Sequence, residues 1–111
     1  MDKFIQYNLY LGHGIDTPRT TKTRVSARAF LNWLKANVDE RFPGYTLHQT
    51  MGRWEGVEEP AIVLEIITPA SKTIFPDEIP WVIREIAESY KKTFFQDAVL
   101  VTVTPVRATF V

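Results

Sequence analysis

Residues 52–67, GRWEGVEEPAIVLEII, constrain the fold more than any other stretch of this chain. The second half, AIVLEII, is rich in the β-branched residues that suit a pleated, half-buried surface, and the first half is a charged turn bearing two glycines. The segment therefore predicts a short hairpin, GRWEGVEEP, that feeds a core strand. Carboxylates are costly to bury, so a central strand that starts with Glu58 and Glu59 and carries Glu65 sets acidic groups beside its own core. These are the first candidates for chemistry. The alternative, solvated turn residues and one carboxylate on a wet face, stays open at this point.

The flanking sequence predicts the partners of that strand. Phe4 to Leu11 alternates, with Ile5, Tyr7, Leu9 and Leu11 on one face and Gln6, Asn8 and Tyr10 on the other, which is the pattern of a half-buried strand. Gly12 and Gly14 end it and open a polar loop of about a dozen residues, a length more typical of a binding loop or a mobile one. Its Arg19, Lys22 and Arg24 are either contacts for an anionic group or three solvated charges. Ser26 is an N-cap, and Val25 and Phe30 have the hydrophobic-staple spacing, so a first helix is expected over 27–40. Its core stripe reads Phe30, Leu31, Leu34 and Val38, and Pro43 and Gly44 stop it. Tyr45 to Trp54 reads as a strand running into a turn from Gly52 to Pro60.

After the central strand, Asp77 caps a second helix expected over 78–92, with Pro80 in its first turn and an apolar stripe of Ile79, Ile83, Ile86 and Tyr90. Val99, Val101 and Val103 then alternate with polar and apolar neighbours in a fourth strand, which Pro105 is expected to end, leaving 106–111 as an edge extension. Strand, helix, strand, strand, helix, strand is the split βαβ order of the α+β ferredoxin-like fold, one four-stranded antiparallel sheet with two helices on one face. Residues 1–111 suffice for a single such domain. Two helices cover one side only, so the apolar material on the other predicts self-association.

Thirteen basic and thirteen acidic residues cancel, which leaves no electrostatic footprint for nucleic acid and favours a small molecule or a protein as partner. Cysteine is absent, excluding disulfides and thiolate chemistry. The N-terminal residues have no leader pattern and no apolar run approaches membrane-spanning length, so the expectation is a soluble, cytoplasmic protein without membrane contact. His13 and His48 each stand alone and are read as ordinary residues, and no metal site is expected. What remains is Trp54, Glu58, Glu59 and Glu65, with Met51 beside the turn and Gln96-Asp97 before the last strand. An aromatic face beside carboxylates suits a cationic ligand through cation–π attraction and charge pairing, although Trp54 would also serve as a plain hairpin anchor.

Three segments together, GRWEG, EEPAIVLEI and FFQDAVLV, resemble the phage S-adenosylmethionine lyases, which have a Gly-x-aromatic step, a Glu-bearing strand start and, after a helix, a Gln-Asp-x-Val-Leu strand. They are also similar to a small uncharacterised bacterial family with a Gly-Gln-Trp-Arg hairpin and a Glu-Pro-Ser-x-Val-Leu strand. The resemblance spans 52–101 and implies a ferredoxin-like homotrimer with its ligand between subunits. It further implies cleavage of S-adenosylmethionine to methylthioadenosine and homoserine lactone without an added cofactor, the substrate's own carboxylate attacking its γ-carbon in a geometry the protein holds. By this resemblance Glu59 and Trp54 are the catalytic positions, Trp54 replacing a tyrosine of the family and so lacking its hydroxyl. Glu58, Glu65, Gln96 and Met51 are then substrate-binding neighbours. Two other readings compete: a non-catalytic trimeric ligand-binding module like the nitrogen-signalling proteins, and a protein-interaction module.

Overall fold

Ile5, Tyr7, Leu9 and Leu11 are all buried, as their alternation requires, and with Leu64 and Ile66 they make one face of a sheet that the helices cover. The computed structural model describes residues 2–13, 25–70 and 79–111, the Trp54 side chain apart. Its elements are β1 (Asp2–Gly12), α1 (Ala27–Asn37), β2 (Thr46–Trp54), β3 (Val57–Pro69), α2 (Trp81–Phe94) and β4 (Leu100–Ala108). The four strands form one antiparallel sheet in the order β2-β3-β1-β4, which with two helices is the α+β, ferredoxin-like arrangement. The loop bearing Arg19, Lys22 and Arg24, and the cap expected at Asp77, lie outside the described residues. Among the described residues no helix is long and apolar enough to cross a membrane.

Five sequence expectations are corrected. The β2–β3 turn is two residues, Glu55 and Gly56, instead of a nine-residue stretch; both have positive φ, 49° and 80°, the twist that closes a tight hairpin. Glu58, Glu59 and Pro60 consequently belong to β3. In α1 it is Trp33, not Leu31, that joins Phe30, Leu34 and Val38 in the core, while Leu31 is 50% exposed. Positions 30, 33, 34 and 38 follow the helical stripe closely, and the buried indole N–H finds the Ser89 hydroxyl at 3.1 Å. The same helix ends at Asn37, its Ser26 cap accepting from the Ala29 N–H.

α2 begins at Trp81, with Pro80 at the N-cap, so Ile79 packs against the core from outside the helix. Pro105 does not end β4: the strand runs through it, paired with Ile5. β4 lies at the sheet edge, where a residue without an N–H facing outward costs no ladder bond.

The register also shows where the sheet stops being a sheet. β1 reaches Gly12 opposite Ala61, so Val57–Pro60 of β3 and Met51–Trp54 of β2 run on as a two-stranded arm beyond the body. On the face away from the helices, Tyr10 stands between Val63 and Leu100, and Gln6 between Ile67 and Thr104. Tyr10, Ile67 and Leu100 are exposed there.

Candidate functional site

Where the arm leaves the body, Gly12 makes room for two side chains from distant parts of the chain. A Cβ on Gly12 would lie 2.7 Å from Oε1 of Gln96 and 3.1 Å from Oε1 of Glu59, so both oxygens occupy space that any larger residue would take. Glu59 arrives on β3, two residues beyond the Gly12–Ala61 match, and is half-buried. Gln96 arrives through the end of α2. Its N–H bonds the Lys91 carbonyl at 3.0 Å, a Schellman-type closure made possible by Phe95 in the left-handed region, φ 54° and ψ 46°.

The Gln96 amide is then aimed by its own donor. Nε2 donates to the Phe94 carbonyl at 3.1 Å, which leaves the oxygen facing the space over Gly12. Two acceptors, one of them a carboxylate, thus face a common point, and among the described residues neither is paired with a cation. Acceptors that converge without a donor between them suit a positively charged or donor-rich guest.

The floor of the cluster is fixed from below. The buried Tyr90 hydroxyl donates to the Gly12 carbonyl, and burial raises its pKa, so the hydroxyl stays a donor. The His13 N–H bonds the Pro60 carbonyl at 2.9 Å, locking the strand end to the base of the arm. The His13 ring packs edge-on against Phe30, centroids 5.2 Å apart, and burial lowers its pKa. Its Nδ1 is buried with no hydrogen-bond partner among the described residues.

Of the sequence candidates, the structure brings together Glu59 and Gln96. Glu58 alternates to the opposite face from Glu59 and lies, exposed, 3.8 Å from Arg53. Met51, opposite Pro60, is likewise on the other face and exposed. Glu65 is six residues along β3 from Glu59, about 20 Å away, and faces His48 at 3.7 Å. Trp54 pairs with Val57, two residues from the Gly52–Glu59 match towards the arm's tip, and its side chain lies outside the described part of the structure. Asp97 is exposed. Among the described residues no three His, Asp or Glu side chains are grouped to hold a metal ion.

Gly12, Tyr90 and Phe95 are the contributors that sequence reasoning missed. Gly12 had a usable signal, since a glycine at the end of an alternating strand marks a close approach as well as a stop. Tyr90 read as core stripe, and nothing in FFQDA announces a left-handed phenylalanine.

The fold and site define a ferredoxin-like α+β domain with an acceptor-lined cluster at one end of its sheet. A family model described as a protein of unknown function, DUF3574, matches residues 6–110, and the chain belongs to that family. No curated protein matches the sequence.

Proposed function

We propose that the chain binds a small cationic ligand over Gly12, and that this ligand is S-adenosylmethionine, cleaved to methylthioadenosine and homoserine lactone. The observation that carries the reading is the convergence of the Glu59 carboxylate and the Gln96 amide oxygen on one point with no described cation between them. A sulfonium offers positive charge without an N–H, which oxygen acceptors stabilise electrostatically. In the reaction the substrate's carboxylate oxygen bonds to its γ-carbon as the carbon–sulfur bond breaks. The electron pair leaves with sulfur, giving a neutral thioether and a lactone, and no proton has to move. The protein's task is to hold carboxylate and γ-carbon in line, with Glu59 and Gln96 fixing the charged centre.

The place of the cluster supports a site between subunits. Gly12 shares its sheet face with Tyr10, which stands beside exposed Leu100, so the cluster borders the face that self-association would cover. A cytoplasmic homotrimer, partnered by neither nucleic acid nor membrane, is part of this proposal. Binding without turnover, as in a nitrogen-signalling-like module, is favoured by one observation: Trp54, at the position of the lyases' tyrosine, has no hydroxyl. Incubation of the purified protein with S-adenosylmethionine and chromatography for methylthioadenosine decides between them. Product supports the lyase; a raised melting temperature without product supports binding alone; the absence of both effects would remove the ligand assignment.

A further inference from the structure

Two adjacent phenylalanines end α2 and are treated in opposite ways. Phe94 packs into the core, its ring 4.8 Å from that of Tyr90 and 6.4 Å from that of Trp33. Phe95 is 74% exposed and has φ 54°, in the left-handed region. That conformation is disfavoured by any Cβ and is usually filled by glycine or asparagine at a helix C-terminus. The cap itself needs only backbone from residue 95, whose N–H bonds the Lys91 carbonyl. Within the described residues the ring thus gains little burial for a conformation that glycine would adopt without strain. Strained positions with no local compensation cluster at binding sites.

The residue that follows is Gln96, whose amide oxygen faces the space over Gly12. We infer that Phe95 is an aromatic wall of the ligand site, stacking on a flat ring that the ligand carries beside its positive charge. This rests on the reading of Glu59 and Gln96 as the charge-recognising pair, and it adds a second recognition element, for the nucleoside base that the cation is joined to. Stacking supplies recognition where Glu59 cannot, because an uncharged ring gains nothing from a carboxylate.

Three probes separate the two halves of such a ligand: S-adenosylmethionine has both, methylthioadenosine only the ring system, and S-methylmethionine only the sulfonium. Binding of each is measured calorimetrically to the native protein, Phe95→Gly and Glu59→Gln. Phe95→Gly is expected to raise the melting temperature by relieving the backbone, while weakening S-adenosylmethionine and methylthioadenosine about tenfold and leaving S-methylmethionine alone. Phe95→Trp should retain all three. Glu59→Gln should weaken the two sulfonium probes and spare methylthioadenosine. A lowered melting temperature in Phe95→Gly, or undiminished methylthioadenosine binding, overturns the role of Phe95 while leaving the Glu59 pair intact. Phe95-dependent binding that ignores Glu59→Gln overturns the charge reading instead and keeps the wall. If none of the probes binds the native protein, both fall.

Discussion

Gly12→Ala tests the site with one methyl group. The new carbon would sit 2.7 Å from Gln96 Oε1, which must retreat about 0.7 Å to reach the 3.4 Å where ordinary contact begins; Glu59 Oε1, at 3.1 Å, must retreat about 0.3 Å. Both obstructing atoms are the far ends of flexible side chains, and Gly12 does not have a positive φ, so alanine fits the backbone. Moving Gln96 off its rotamer costs about 0.5–1.5 kcal/mol, and alanine recovers about 0.4–1 kcal/mol through a less flexible unfolded chain. The net change in stability is therefore within about 1 kcal/mol of zero, a shift of a few degrees in melting temperature. Binding is affected far more, because the two acceptors no longer face one point. Losing a hydrogen bond or contact to a charged group costs about 1.5–3 kcal/mol, so affinity for S-adenosylmethionine should fall at least tenfold. Calorimetric titration alongside a thermal melt measures both. An alanine variant that melts normally and binds with unchanged affinity would refute the placement of the ligand over Gly12.

Glu59→Gln should abolish turnover while leaving oligomeric state and melting temperature nearly unchanged, since a half-buried carboxylate at the strand start contributes charge complementarity and little packing; undiminished product by chromatography would reassign the role. Tyr90→Phe removes the buried bond to the Gly12 carbonyl and should cost about 1 kcal/mol by urea denaturation, with a weaker effect on affinity than Gly12→Ala. Burial holds the His13 pKa below its ordinary 6.5, so the folded state prefers the neutral ring; its contribution is complete above pH 6.5 and is lost as pH falls through the folded value. Melts between pH 7 and 5 should therefore decline more steeply for the native protein than for His13→Phe, and parallel curves would exclude this linkage. Light scattering at micromolar concentration should find a multiple of the 12.8 kDa chain, and a monomer would remove the inter-subunit site.

Periodicity made the fold legible because it reports which face a residue must hide. The alternation from Ile5 to Leu11 and the stripe Ile83, Ile86, Tyr90 place the core correctly, and element order then leaves few topologies. Boundaries were less legible where tertiary context decides. Pro105 is a strand breaker only in the interior of a sheet, and nothing local says that β4 lies at the edge. Trp33 was hidden for a similar reason: the partner that satisfies its indole, Ser89, is 56 residues away. The site was half legible. Glu59 and Gln96 stood out by type and resemblance, but their meeting point depends on a glycine that has no side chain to notice. Alternation along β2 and β3 then separates Glu59 from Glu58 and Met51, a distinction carried by register and not by composition.

The two borders of the sheet differ in what they offer a passing strand. Along β4, a newcomer meets the ring of Pro105 where its own carbonyl needs a donor. Along β2, nine residues from Thr46 to Trp54 contain no proline, and those from Thr46 to Gly52 carry no formal charge with His48 neutral. Such a molecule resembles a rod with one sticky end and one blunt end. Two copies joined at their sticky ends leave only blunt ends outward, so recruitment through strand edges stops at a pair and does not propagate into a fibre.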